Sequence, residues 1–196
     1  MATPRGQRIG IWIIAIVLSV GTLGSFLVMA LSINNQKIDS ATQQKQYDEQ
    51  IKQYLEQQKV AAQDNADKSE ALPGYESRTF DAASVNKIVV ETLVAGDGDS
   101  VKATDSINSS YFGWASDGKI FDSSKKKDAE DTPVTFSLAN VIAGWTEGLA
   151  GVQVGSTVRL TIPADKAYGD SGSGIITANS PLEFIVVVHG IDNSAA

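Results

Sequence analysis

The segment VIAGWTEGLAGVQVG, which runs from Val141 to Gly155, combines residues of very different size. It places the bulky side chain of Trp145 among small residues, with Gly144 directly before it and Gly148 three residues after it. A helix built only for its own stability would avoid these glycines, because each interior glycine costs about 1 kcal/mol relative to alanine. The glycines therefore indicate that another backbone segment or a ligand comes close to this helix.

The composition of the 196-residue chain excludes several kinds of site. The formal net charge is -7 and there is no basic stripe, which argues against nucleic-acid binding. There is no cysteine, so disulfides and thiolate metal sites are excluded. The only histidine, His189, lies in the apolar run LEFIVVVHGI, and we expect a strand-end residue rather than a member of a catalytic triad or a metal site.

Residues 9–33 form an apolar segment without a charged side chain. About 20 apolar residues suffice for a helix that crosses a bilayer. Arg5 and Arg8 precede the segment, so the positive-inside bias predicts that residues 1–8 are cytoplasmic and that the C-terminal domain is extracytoplasmic. A cleaved signal peptide ending at Val28-Met29-Ala30 is the alternative, but the apolar run exceeds the ~7–15 residues of a usual signal core. We therefore expect a single-pass transmembrane signal anchor in the cell membrane.

Residues 34–71 differ sharply in composition from the segments on either side. They are rich in Gln, Lys, Glu and Ala, which favours a helical stalk or linker that ends at LPGY, residues 72–75. Tyr47, Ile51 and Tyr54 follow a coiled-coil spacing, but glutamine occupies positions 44 and 58, where that seam requires apolar residues. A solvated single helix and a weak homodimer through the stalk both remain open.

The remaining residues, 72–196, predict a small α+β domain. Short β-rich runs alternate with turn signals, and Asp117-Gly118 between two such runs is typical of a hairpin. Only Val141 to about Gly151 has a helical pattern, so we expect an antiparallel sheet with one short helix packed on one face. The charged segment KKKDAED, residues 125–131, is expected to be a solvated loop.

Aromatic residues recur in three segments of this domain. They occur in Tyr111-Phe112-Gly113-Trp114, in GKIFDSS with Phe121, and in AYGDSGSGII with Tyr168. If these segments meet Trp145 at the open end of the core, they form an apolar pocket with a few polar groups, which is the usual character of a ligand site.

The ordered motifs between residues 85 and 191 resemble the FKBP family of peptidyl-prolyl cis-trans isomerases. The resemblance rests on GKIFDSS (118–124), PVTFSLANVIAGWTEGL (133–149), STVRLTIP (156–163) and AYG (167–169) in that order. It implies an antiparallel β half-barrel wrapped on one short helix. The short spacing between Leu138 and Val141 resembles the bacterial macrophage-infectivity-potentiator branch, which also carries a long N-terminal helix and works outside the cytoplasm.

The resemblance also implies a site. Trp145 corresponds to the floor of the prolyl pocket, and Asp122 and Tyr168 to its polar groups. The backbone N–H of Ile142 and the Tyr168 hydroxyl are the expected donors to substrate carbonyls. The pocket-wall positions of the family correspond here to Tyr111, Phe121, Val134, Val141, Ile175 and Phe184. Two positions depart from the family pattern: Val134 follows Pro133 where an aromatic is common, and Thr177-Ala178 replaces a frequent Pro-Pro pair, so we expect a more flexible loop there.

The implied function is isomerisation of X-Pro bonds in exported proteins, which assists their folding. The reaction needs no metal and no cofactor, because it only lowers the barrier to rotation about a peptide bond. The expected partners are proline-containing polypeptides, the membrane and a macrolide inhibitor. The alternative is a membrane-tethered peptide-binding or chaperone module that uses the same pocket with little turnover.

Overall fold

The computed structural model describes residues 40–192. The first element is a long helix, α1, at Ser40–Lys68. The chain divides into two compact units after Val60, so residues 61–68 of α1 belong to the same unit as the β-rich domain. The predicted transmembrane segment 9–33 lies outside the described residues. Among residues 40–192, no helix combines the length and the apolar character needed to cross a membrane.

Helix α1 ends at Lys68, four residues before the Leu72-Pro73 stop signal. The reason is tertiary, because Ser69 forms an antiparallel bridge with Lys126. The Glu70 N–H donates to the Lys125 carbonyl at 3.1 Å. The backbone groups that would have continued the helix are therefore used in a short strand-like pairing.

One antiparallel sheet contains all six strands of the domain, as the turn pattern predicts. The strand order is β1-β5-β6-β2-β3, and β4 also pairs with β2. The Asp117-Gly118 turn joins β2 to β3, and Gly118 has the positive φ of 79° that such a turn requires. The strands are β1 Val89–Val94, β2 Ser106–Ala115, β3 Ile120–Ser123, β4 Val134–Ser137, β5 Thr157–Ile162 and β6 Leu182–Asp192.

The short helix α2, Ala143–Leu149, packs against β5, and its glycines explain how closely. A Cβ on Gly144 would lie 2.3 Å from the Ile162 Cγ2, and one on Gly148 would lie 2.4 Å from the Leu160 Cδ1. Both distances are far shorter than van der Waals contact, so only glycine permits this approach. The predicted close approach is thus a helix-to-sheet contact.

The aromatic side chains of residues 111–114 lie on both faces of the sheet, and two of them belong to one apolar cluster. Phe112 and Trp114 stack with ring centroids 5.1 Å apart and pack with Ile185 and Leu72. Alternation along β2 directs these rings away from the side that Tyr111 faces. The expectation that the whole segment contributes to one pocket is therefore wrong for Phe112 and Trp114.

The charged segment 125–131 is more ordered than a solvated loop. The Lys125 ammonium lies 2.9 Å from the Glu70 carboxylate, and the Lys126 ammonium 3.2 Å from that of Asp122. Asp131 accepts hydrogen bonds from the hydroxyls of Ser110 and Ser124. Only the middle of the segment, residues 127–130, is exposed, because its ends satisfy half-buried polar groups of the domain.

Candidate active site

Trp145 lies at the centre of an aromatic cluster. Its side chain projects from the first turn of α2 and is only 4% exposed. The rings of Tyr111, Phe136 and Phe184 meet it edge-on, with centroids 5.4 to 5.5 Å away. Such edge-to-face contacts are the favoured geometry of aromatic pairs. They hold the indole rigidly, as a pocket floor requires.

The lack of a side chain at Gly113 of β2 leaves room for two of the predicted wall residues. A Cβ at this position would lie 2.4 Å from Phe184 Cε1 and 2.7 Å from Phe121 Cζ. The two phenylalanine rings, 5.6 Å apart and nearly perpendicular, therefore lie over bare backbone. The glycine between Phe112 and Trp114 is what allows Phe121 and Phe184 to reach the pocket side.

Four donors converge on the carboxylate of Asp122, which is 8% exposed. Oδ2 accepts a hydrogen bond from the hydroxyl of Tyr111. Oδ1 accepts from the Ser123 backbone N–H at 2.8 Å, from Asn65 Nδ2 at 2.9 Å and from Lys126 Nζ at 3.2 Å. A buried carboxylate needs such partners, because burying it without them is costly. Asp122 is therefore a fixed negative charge at the rim of the aromatic cluster.

Two tyrosine hydroxyls stay protonated beside this charge. Burial, and then the Asp122 carboxylate, raise the pKa of Tyr168 from 10.0 to about 12. The same two causes raise the pKa of Tyr111 well above its ordinary value. Both phenols are hydrogen-bond donors at neutral pH, and the Tyr111 hydroxyl is already used by Asp122. Tyr168 thus keeps a protonated hydroxyl beside the Asp122 carboxylate.

The other predicted residues lie on the segments that flank the cluster. Val141 and Ile142 are half-buried just before α2, and Ile142 is its N-cap. Within residues 40–192, no backbone acceptor is found for the Ile142 N–H, which is the predicted donor. Ile175 is half-buried in a tight turn closed by two hydrogen bonds between Ser173 and Ile176, of 2.9 and 2.8 Å. The roles of these residues stay predictions.

Phe136 is a pocket residue that the sequence reasoning did not assign. Its ring lies 5.3 Å from that of Tyr111 and 5.4 Å from that of Trp145. Val134, the predicted wall residue, is half-buried at the start of β4. Residues 134 and 136 share one side of this strand, so its alternation, together with the aromatic character of Phe136, is the signal that points to it.

A serine, a histidine and an aspartate also meet in the structure, but not as a catalytic triad. The Ser110 hydroxyl lies between the two other groups, 2.7 Å from His189 Nε2 and bonded to Asp131. In a hydrolytic triad the imidazole lies between serine and carboxylate, which orients it. Here the carboxylate bonds the serine, and His189 is an exposed residue within β6 rather than at its end. In the described part of the chain, no group of three or more His, Asp or Glu side chains is placed to hold a metal ion.

Comparisons with known proteins connect this chain to one family. Residues 98–189 match the family model described as FKBP-type peptidyl-prolyl cis-trans isomerase. The isomerase FkpA of Aeromonas hydrophila is 34% identical over 165 residues, which cover 78% of this chain and 60% of that protein. FK506-binding protein 4 of Emericella nidulans is 37% identical over 123 residues, which cover 62% of this chain and 24% of that protein. The matches thus span only part of these relatives' length.

A solved structure extends the match to the fold. The crystal structure of a peptidyl-prolyl cis-trans isomerase from Pseudomonas syringae pv. tomato DC3000 superposes with a TM-score of 0.50 and 31% identity. The match covers 70% of this chain and 96% of that one. The antiparallel sheet and its short helix are therefore those of the FKBP fold. The chain belongs to the FKBP-type peptidyl-prolyl cis-trans isomerase family.

Proposed function

We propose that the whole protein catalyses cis-trans isomerisation of X-Pro bonds in exported polypeptides and thereby assists their folding. The observation that carries this proposal is the buried Trp145 floor, enclosed by aromatic rings, with Asp122 and Tyr168 at its polar side. The proline-containing polypeptide is the substrate.

The proposed mechanism is stabilisation of a twisted amide. Resonance gives the peptide bond a rotation barrier of about 18–20 kcal/mol, and the twisted form has lost that resonance. Water solvates the planar, polar amide well, so a dry aromatic pocket favours the twisted form relative to it. Tyr168, whose pKa of about 12 keeps its hydroxyl protonated at neutral pH, donates to a substrate carbonyl while the bond rotates. No nucleophile takes part.

Isomerase activity is tested by NMR exchange spectroscopy on a short Ala-Leu-Pro-Phe-type peptide with residues 36–196. We expect accelerated cis-trans exchange at micromolar protein, and its loss in Trp145→Ala. The substitution also removes a large buried ring, which costs about 3–5 kcal/mol of stability, so the comparison is made where the variant is folded. Peptide binding without acceleration by the wild type would support the tethered binding module instead.

A macrolide is proposed as an inhibitor of the same pocket. The name of the Emericella relative states that it binds FK506. The aromatic cluster here offers the kind of apolar surface that such a ligand covers. Competition between FK506 and the peptide, followed by the same exchange spectra, tests this. Unchanged exchange at saturating macrolide would remove it as a ligand.

We propose further that the domain is held outside the cytoplasm by a membrane anchor. The support is the uncharged segment 9–33 with Arg5 and Arg8 before it. Fractionation of cells that express the full chain or residues 36–196 tests it. The full chain should sediment with membranes and resist carbonate extraction, whereas residues 36–196 should not. Full extraction of the full chain would contradict the anchor.

A weak homodimer through residues 34–71 also stays a proposal. Ile51 and Leu55 are exposed apolar residues on α1, at 37% and 56%. Analytical ultracentrifugation of residues 36–196 and of its Ile51→Lys variant tests the dimer. A mass that falls on substitution supports it, and equal monomer masses dismiss it.

A further inference from the structure

The C-terminal end of α1 is tied by its backbone to the loop that follows Asp122. The Lys127 N–H donates to the Lys68 carbonyl at 2.8 Å, and the Glu70 N–H donates to the Lys125 carbonyl at 3.1 Å. The Lys126 ammonium adds a hydrogen bond of 2.9 Å to the hydroxyl of Ser69. Residues 61–70 are therefore an integral part of the isomerase unit.

Asn65 on this helix end reaches Asp122 itself. Its Nδ2 donates to Asp122 Oδ1 at 2.9 Å and to the Phe121 carbonyl at 3.3 Å. Its Oδ1 accepts from Lys126 Nζ at 2.7 Å. The orientation of the amide follows from the chemistry, because only its NH₂ group can donate to a carboxylate and only its oxygen can accept from an ammonium. Both ends of the side chain are thus engaged.

The contact matters because Asp122 is almost completely buried. Its Oδ1 receives three donors, of which Ser123 and Lys126 are its neighbours in sequence. Asn65 is the donor that comes from outside the FKBP match, which covers residues 98–189. Without it, Oδ1 loses one donor and Lys126 loses an acceptor. The carboxylate is then held by the three remaining donors alone, from Tyr111, Ser123 and Lys126.

The C-terminal end of α1 also contacts the turn on the other side of the predicted pocket. A Cβ on Gly174 would lie 2.6 Å from the Cβ of Ala62, so the turn that carries Ile175 lies directly against the helix. Asn65 and Ala62 are three residues apart and share a side of the helix. The end of α1 thus spans from the polar group of the site to its late turn.

We propose that Asn65 is a positioning residue for the prolyl isomerase site: it fixes the carboxylate of Asp122 from the N-terminal helix. The inference rests on the proposed function, because Asp122 is taken to orient the substrate. It assigns a part in catalysis to a segment that lies outside the family match at residues 98–189. Catalytic efficiency then depends on how the end of α1 is docked.

The test compares amide-to-leucine substitutions at two positions of the same helix turn in the full chain. Asn65→Leu removes the donor to Asp122 at similar volume. Gln63→Leu is the matched control, since the exposed Gln63 amide donates only to Asp67, at 2.8 Å. Asn65→Asp is a second variant that keeps the shape but places a carboxylate against Asp122. Peptide exchange rates, melting temperatures and the ¹H–¹⁵N shift of the Ser123 amide are measured for each.

We expect kcat/KM to fall about five-fold or more in Asn65→Leu and at least as far in Asn65→Asp, the scale of one lost bond to a charged group. The Ser123 amide, which donates to the same Oδ1, should shift in both variants. Gln63→Leu should leave rate and shift unchanged. A merely structural role would lower the melting temperature without moving the Ser123 signal.

Two outcomes separate the inference from the function on which it rests. An active wild type with Asn65 variants within two-fold of it, and an unmoved Ser123 signal, would overturn the inference and keep the enzyme. An inactive wild type would remove the proposed function. In that case the Ser123 amide signal alone tests whether Asn65 positions Asp122. A change of this signal in Asn65→Leu but not in Gln63→Leu supports the positioning. An unchanged signal in Asn65→Leu refutes it.

Discussion

Tyr111 and Tyr168 are chemically alike but differ in what their hydroxyls are free to do. The Tyr111 hydroxyl donates to Asp122, and its ring also packs edge-on against Trp145. Tyr168 lies near the same carboxylate, and its pKa of about 12 keeps the hydroxyl protonated. The Tyr111 hydroxyl is therefore used within the cluster, whereas the Tyr168 hydroxyl is the one that we propose as a donor to substrate.

Tyr168→Phe should lower kcat/KM with little effect on stability. It removes the proposed donor to a substrate carbonyl, which is worth about 0.5–1.5 kcal/mol and so about two- to thirteen-fold in rate. Peptide exchange rates and urea unfolding curves measure the two effects. An unchanged rate in a folded variant would take the hydroxyl out of the mechanism.

The raised pKa of Tyr168 also makes an alkaline stability prediction. Its pKa is about 12 when folded and close to 10.0 when unfolded, so above pH 10 the folded state holds the proton that the unfolded state has lost. The free energy of unfolding is unaffected by this group below pH 10 and falls between about pH 10 and 12. The slope approaches about 1.4 kcal/mol per pH unit. Urea unfolding from pH 9 to 11 should show a shallower fall in Tyr168→Phe than in the wild type.

Among the elements, helix α2 has a low intrinsic helix propensity but makes a close contact with the sheet. Its seven residues include Gly144 and Gly148, both buried against β5. The glycines weaken the isolated helix, but they let its backbone lie against Ile162 and Leu160. This close packing fixes Trp145 within the aromatic cluster, because the indole projects from the same turn as Gly144.

Gly148→Ala should destabilise the protein although alanine is the better helix former. The added Cβ would lie 2.4 Å from the buried Leu160, and such overpacking costs about 1–3 kcal/mol, more than the helix gain of about 1 kcal/mol. Gly190→Ala on β6 is the control, since its Cβ would meet nothing within 4 Å and should change stability by under about 0.5 kcal/mol. Denaturant unfolding of both variants measures this. Equal stabilities would show that α2 can shift away from the sheet at no cost.

In the isomerase unit as a whole, both faces of the sheet are covered. Helix α2 covers one face, and the segment around Leu72 and Phe80 packs against Phe112 and Trp114 on the other. The Trp114 indole N–H donates to the Arg78 carbonyl at 2.9 Å, which ties this segment to the sheet. The residues just after α1 are therefore part of the core, although they precede the family match.

Leu72→Ala should reduce stability but not turnover. Leu72 is 4% exposed among large side chains, and truncation of a buried leucine costs about 2–5 kcal/mol. The pocket lies on the opposite face, so kcat/KM should match the wild type at temperatures where the variant is folded. Thermal unfolding and exchange rates measure the two effects. A large rate loss in the folded variant would mean that the two faces are coupled.

The local sequence pattern predicts the class of the domain and part of the aromatic cluster around Trp145. Alternation and turn residues report local geometry, so the hairpin at Asp117-Gly118 and the short helix at Trp145 are readable without coordinates. The predicted aromatic residues Tyr111 and Phe184 do pack against Trp145, with ring centroids 5.5 and 5.4 Å away.

Contacts between groups far apart in the sequence become visible only in the folded domain. Asn65 is hydrogen-bonded to Asp122, which is 57 residues away in the sequence. Lys126, from the charged segment 125–131, donates to Asn65. The ring of Phe136 packs against Trp145, whereas the sequence pointed to Val134 as the wall residue of this strand. The physical reason is that local patterns fix the period of a strand or helix. A hydrogen bond between remote side chains depends instead on how the finished elements pack, and no local pattern encodes that.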